Sequence, residues 1–182
     1  MKVFIGTVTT GACLSVVSQT KADNMFQITP SASAAKVIAN DNCFQVCFTD
    51  PNQGTASADY IASKGLATKV AVIYNSSDAY SSGIYDNFKA EAAAKGLDLV
   101  ASEAFTGDSK QDFSSQLSKI KASGAELIFL PIYYQEASLI LSQAKNAGIT
   151  AKFFGCDGLD GLLNIENFDK SLAENVMLLT PF

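Results

Sequence analysis

Lys69-Val70-Ala71-Val72-Ile73-Tyr74, followed by a helical stretch over residues 82–95 that stops at Gly96, is the unit on which the fold is read. The first part is a β-branched run of strand length. In the second, Ile84, Tyr85, Phe88 and Ala92 fall on one helical stripe, and Gly96 supplies the left-handed residue that ends it. Working outward, the unit recurs. A strand at 97–105 precedes a helix at 111–122, in which Phe113, Leu117 and Ile120 are spaced i, i+4, i+7 before Gly124. A strand at 126–131 precedes a helix at 135–147, which buries Ala137, Ile140, Leu141 and Ala144 and stops at Gly148. Upstream, Asp50-Pro51 reads as a cap with proline at the first helical position of a helix that buries Ala58, Ile61 and Ala62 and ends at Gly65. Further strands are expected at 3–6, 25–28, 43–48, 152–155 and 176–180, with a loop holding at most one helical turn between Thr29 and Cys43. Strands alternating with amphipathic helices specify an α/β fold, parallel sheets sandwiched by helices. The eight strands are more than one small sheet would hold.

Composition narrows the function. The 182 residues are 48% hydrophobic and 17% charged, enough for a packed core. Eighteen acidic residues against thirteen basic ones give a net charge of -5, with no run of like charge, so nucleic acid is not an expected partner. The opening apolar stretch is too short for a signal peptide, and no segment offers the roughly 18 apolar residues of a membrane span. Cys13, Cys43, Cys47 and Cys156 fit no zinc spacing, and there is no histidine to supplement them. Cys43 and Cys47, four apart in a strand-like run, are expected to share a face as small buried hydrophobes, and no disulfide framework is read.

The chemistry gathers where strands end. Val3-Phe4-Ile5-Gly6 runs into Thr7-Val8-Thr9-Thr10-Gly11-Ala12, and a helix beginning at Thr10-Gly11 aims backbone N–H groups at a small anion such as a carboxylate. The hydroxyls of Thr7, Thr9 and Thr10 serve equally well as turn chemistry. A phosphate loop would need a Lys-Ser/Thr pair that this turn lacks, and no G-x-G-x-x-G follows any strand, so no cofactor is expected. Two more strand ends carry Ile132-Tyr133-Tyr134-Gln135-Glu136 and Cys156-Asp157-Gly158. In open parallel sheets ligands bind beyond the carboxyl ends of the strands, which is where Tyr133 and Asp157 fall. Each also reads as an ordinary helix start or turn residue. Catalytic equipment is absent: there is no histidine and no nucleophile elbow, and a Cys156 thiol beside Asp157 would be a poor nucleophile. The chain reads as a binding protein, not an enzyme.

Taken in order, these motifs resemble the substrate-binding proteins of branched-chain amino acid ABC transporters, the Leu/Ile/Val type of class I periplasmic binding protein. The residues that carry the resemblance are Gly6-Thr7-Val8-Thr9-Thr10-Gly11-Ala12, Gln27-Ile28-Thr29-Pro30-Ser31-Ala32-Ser33, Cys43-Phe44-Gln45-Val46-Cys47-Phe48-Thr49-Asp50, Gln53-Gly54, Gln111-Asp112-Phe113-Ser114, Tyr133-Tyr134-Gln135-Glu136 and Gly155-Cys156-Asp157-Gly158. The resemblance implies an amino acid ligand whose carboxylate is held by Thr10, with Thr9 and Gly11 beside it. It implies that the loop Ser31-Ala32-Ser33 supplies a carbonyl and a hydroxyl. From the second lobe it implies Tyr80, Tyr133 and, for the ammonium group, Asp157, one methylene shorter than the glutamate often found there.

The same resemblance implies two lobes, a partial N-terminal one over residues 1–49 and a nearly complete C-terminal one over 50–182, with hinges near Asp50 and Pro181. The implied partners are an amino acid and a membrane permease, and the implied location is outside the cytoplasmic membrane. A sensory ligand-binding domain of a receptor is the alternative role on this fold. A first lobe of three strands would expose sheet edge and apolar face, and self-association is expected from that.

Overall fold

The computed structural model describes residues 2–180. Strands β1 (Lys2–Ile5), β2 (Met25–Thr29) and β3 (Cys43–Gln45) form a parallel sheet in the order β1-β2-β3. Helices α1 (Thr10–Leu14) and α2 (Val17–Ala22) and a 3-10 turn at Ala35–Ile38 pack on it. Their small core is Cys13, Ala32, Ala34 and Val37, with Leu14 and Val17 against it. The buried Gln27 is kept satisfied there by Thr20, at 2.5 Å, and by the Cys13 sulfur, at 3.2 Å.

Beyond the crossing at residues 46–50, α3 (Asp50–Ser63) leads into the larger sheet. It contains β4 (Lys69–Asn75), β5 (Asp98–Phe105), β6 (Leu127–Leu130), β7 (Lys152–Gly155) and β8 (Val176–Leu178), all parallel, in the order β5-β4-β6-β7-β8. Alternation along the strands divides the core in two. Val70, Val72, Leu127 and Phe129 pack on Ala58 and Ile61 of α3 and on Ile84 and Phe88 of α4 (Ala79–Ala94). Ala71, Ile73, Ile128 and Leu130 face the other way, onto Leu117 and Ile120 of α5 (Ser114–Ser123) and Ala137, Ile140 and Ala144 of α6 (Tyr134–Asn146). Strand β6 is buried on both faces, which is why it reads as an unbroken apolar run. No helix among the described residues is long and apolar enough to cross a membrane.

The eight strands and the helical pattern agree with the expectation, and the local differences have physical causes. Asp50 is not the cap of α3: Thr49 holds the extended cap position, and Asp50 is already helical, with Pro51 after it. Helix α5 begins three residues later than periodicity suggests, because Asp112 Oδ1 accepts from the Ser114 amide at 2.9 Å and holds a turn ahead of the helix. Gln143 fastens that turn from α6, accepting from Phe113 N at 2.8 Å and donating to Gln111 O at 2.9 Å. Strand β3 stops at Gln45, since β2 ends at Thr29, whose carbonyl takes a last bond from Val46 N at 3.1 Å. Cys47 therefore lies beyond the strand and half-buried, so it does not share a strand face with the buried Cys43; all four cysteines are free thiols. The expected hinge at Pro181 lies outside the described residues.

Candidate functional site

The carboxyl ends of both sheets face one another across a cavity of about 590 Å³. On the smaller sheet's side it is lined by Val8, Thr9 and Thr10 after β1, Pro30, Ser31 and Ser33 after β2, and Val46 and Cys47 after β3. On the other side stand Tyr80 at the start of α4, Tyr133 and Tyr134 after β6, Asp157, Gly158 and Asp160 after β7, and Thr180 after β8. Every contribution follows the end of a parallel strand, the place where side chains of neighbouring connections converge.

The first wall is a set of donors. Thr29 Oγ1 accepts from Ala32 N at 3.0 Å and donates to Thr7 O at 2.6 Å, which locks the loops after β1 and β2 together. Thr10 Oγ1 accepts from the amides of Ser33 and Ala34, both at 3.3 Å. With its lone pairs so used, the Thr10 hydroxyl keeps a proton to donate into the cavity. Ser33 is 1% exposed, and its hydroxyl makes no hydrogen bond of ordinary geometry among the described residues but lies beside Asp50, whose ionised form it favours. Helix α1 has five residues, too short for a substantial dipole, so the donors of this wall are its hydroxyls rather than a helix terminus.

The second wall is an acid held in place. Tyr80 donates its O–H to Asp157 Oδ1 at 2.5 Å and accepts from Gly158 N at 2.9 Å, while Asp157 N donates to Gln53 Oε1 at 3.3 Å. The Tyr80 ring stacks on Tyr133 with centroids 4.8 Å apart. Burial pushes the Asp157 carboxyl above the usual range, with the Tyr80 hydroxyl and the nearby Gln53 side chain acting the other way, and burial raises Asp78 too. At the crossing, burial drives Asp50 up to about 7, reinforced by Asp157 and Asp78 and opposed by Ser33. The lining contains two carboxylates and no Lys or Arg. A half-buried carboxylate with no basic partner calls for a cation from outside.

Seven of the nine residues singled out from the sequence line this cavity: Thr9, Thr10, Ser31, Ser33, Tyr80, Tyr133 and Asp157. Two do not. Gly11 is exposed on α1, and Ala32 is buried beneath its loop in the core of the smaller sheet. The Tyr80 hydroxyl is engaged with the Asp157 turn, which makes it a support for the acid as well as part of the wall. Cys47 went unnoticed because the strand was read as continuing through it. Tyr134 and Asp160 stand beside singled-out residues at strand ends, and the same strand-end rule extends to them.

The periodic pattern and the site have counterparts among known proteins. A family model described as periplasmic binding protein matches residues 1–182. A Leu/Ile/Val-binding protein homolog 3 of Brucella melitensis is 33% identical over 161 residues, 87% of this chain and 43% of that protein. An amino acid binding protein of Pseudomonas aeruginosa is 34% identical over 134 residues, 72% of this chain and 35% of its own length. Among solved structures, a leucine binding protein, LivK, of Thermotoga maritima superposes with a TM-score of 0.90 at 26% identity, over 98% of this chain and 50% of that one. The branched-chain amino acid transporter substrate binding protein LivJ of Streptococcus pneumoniae, solved with isoleucine, gives 0.87 at 28% identity, over 97% and 50%. The chain thus spans half or less of the length of these relatives.

Proposed function

The chain belongs to the periplasmic binding protein family, and on that premise we propose that it captures a small amino acid, of the branched-chain or another aliphatic kind, between two lobes and presents it to an ABC transporter permease. The lobes are residues 1–49 and 50–182. The work is done outside the cytoplasmic membrane, and no bond is made or broken.

The observation that carries this reading is the division of labour across the cavity. One wall offers the hydroxyls of Ser33 and Thr10, and the other offers Asp157 without a basic partner. A zwitterion removed from water needs both of its charges paired, and neither wall supplies both. Thr10 and Ser33, helped by Thr9 and Ser31, take the carboxylate. Asp157 takes the ammonium group, and the stacked Tyr80 and Tyr133 rings flank the aliphatic part. The ligand favours the closed arrangement by whatever contacts it gains there over the open one.

Calorimetric titration of the chain with L-leucine, L-isoleucine, L-valine and L-alanine tests the assignment. Binding is expected with at least one of them, and Asp157→Ala is expected to weaken it at least about a hundredfold, the usual consequence of removing one partner of a desolvated ion pair. No heat with any member of the panel, or undiminished heat with Asp157→Ala, rejects it. We further propose that the chain alone associates with itself through the apolar face of its smaller sheet.

A further inference from the structure

Gln53 sits in the first turn of α3, is fully buried, and reaches the binding wall through Asp157. Its Oε1 accepts from the Asp157 amide at 3.3 Å, and its Nε2 has no hydrogen-bond partner among the described residues. A buried amide without a partner is unfavourable where an apolar side chain of the same shape would fill the space, so the free N–H₂ marks an unfinished interaction. The turn that carries it reaches both walls, since Asp50 N, three residues earlier, donates to Ser33 O at 2.9 Å. Gly54, next to it, lets α3 lie against α4: a Cβ there would stand 2.5 Å from Ile84 O. That close approach fixes Gln53 on α3 relative to Tyr80 on α4, so that two side chains from two helices grip one turn.

We infer that Gln53 is a positioning residue for ligand capture: Oε1 holds the Asp157 turn by its backbone amide, and Nε2 turns to the Asp157 carboxylate as that group receives an ammonium. The inference rests on the reading that Asp157 is the ammonium's partner. The surroundings explain why such help is needed. Asp50 on α3, Asp78 and Tyr80 at the start of α4, Tyr133 and Glu136 after β6, Cys156 and Asp160 beside Asp157, and Cys47 across the cavity all act on this region, and none is a cation. Gln53 and Tyr80 are the groups whose side chains favour the ionised form of Asp157 there.

The test uses the full chain with carbon-13-labelled aspartate carboxyls, and compares the unaltered protein with Gln53→Met, which keeps the volume and removes both hydrogen-bonding atoms. The Asp157 carboxyl is expected to titrate about 0.5 pH unit or more higher in the variant. Affinity for L-leucine is expected to fall about threefold well below the Asp157 midpoint, the factor that a 0.5-unit shift allows, and by less above it, where the carboxyl is ionised in both proteins. A filler role would lower affinity equally on both sides of the Asp157 midpoint and leave the midpoint in place, which overturns the inference. Should the methionine variant not fold, the side-chain amide resonances of Gln53 in the unaltered chain decide: they follow the Asp157 titration if the inference holds, and stay flat if it does not. An unaltered chain that binds no amino acid, or Asp157→Ala binding as well as it does, overturns the capture reading and this inference with it. A midpoint indifferent to Gln53 in a chain that does bind overturns this inference alone.

Discussion

At the scale of single residues, Asp50 is the most consequential side chain outside the cavity. It is 2% exposed, neither carboxylate oxygen has a hydrogen bond of ordinary geometry among the described residues although Ser33 lies beside it, and burial raises it from 3.8 to about 7. An acid whose folded-state pKa is raised holds a proton that the unfolded chain has already lost. Its contribution to stability is therefore complete below about pH 4 and declines as the pH climbs to about 7. Asp157 and Asp78 are shifted in the same direction, so the unaltered chain is expected to be more stable at pH 5 than at pH 8. Asp50→Asn keeps the shape and removes the titration. Urea unfolding is expected to show the variant gaining about 2–3 kcal/mol on the unaltered protein between pH 5 and pH 8. Parallel pH profiles for the two proteins would mean that Asp50 is solvated after all.

At the scale of elements, the contact between α3 and α4 is set by Gly54. A methyl group there would meet backbone on the opposite helix, 2.5 Å from Ile84 O and 2.7 Å from Phe88 N, and backbone does not rotate out of the way. Gly54→Ala is expected to destabilise the chain by about 3 kcal/mol, the upper part of the overpacking range. Gly124→Ala, where φ is +71° but the space is open, is expected to cost only about 1 kcal/mol. Thermal unfolding that ranks the two alike would put the α3–α4 contact in doubt. These elements also show what the sequence carries. Strands β4 and β6 of the larger sheet are legible because burial on both faces leaves uninterrupted apolar runs, and the helices because residues such as Ile84 and Phe88, or Leu117 and Ile120, repeat at helical spacing. The ends are less legible, since they depend on partners distant in sequence: β3 is cut short by the length of β2, and α5 is delayed by a turn that Gln143 of α6 secures. For the same reason the strand-end rule found Thr10, Tyr133 and Asp157, while Cys47 and the buried grip of Gln53 needed the packed structure.

At the scale of the molecule, the two sheets are unequally covered. The larger has helices on both faces, whereas α1, α2 and the 3-10 turn pack on the smaller one through the side that carries Gln27 and Cys43. Strand register puts Val3 beside Phe26 and Ile5 beside Ile28, with Phe44 beside Ile28, so these five share the opposite face. Phe26 and Phe44 stack at 5.1 Å, yet Phe44 remains 48% exposed and Ile5 78%. A contiguous apolar face on a sheet whose outer strands also have one unpaired edge each among the described residues favours burial against another copy of itself. Sedimentation velocity is expected to show association that grows with concentration. Replacing both Ile5 and Phe44 by lysine adds two like charges to the face, so it is expected to shift the chain to monomer. Because both positions are largely in water, the unfolding of the larger sheet is expected to change by no more than about 0.5 kcal/mol. Association that survives both substitutions would place the contact elsewhere, and a chain that is monomeric from the outset would show that this face is stable in water as it stands.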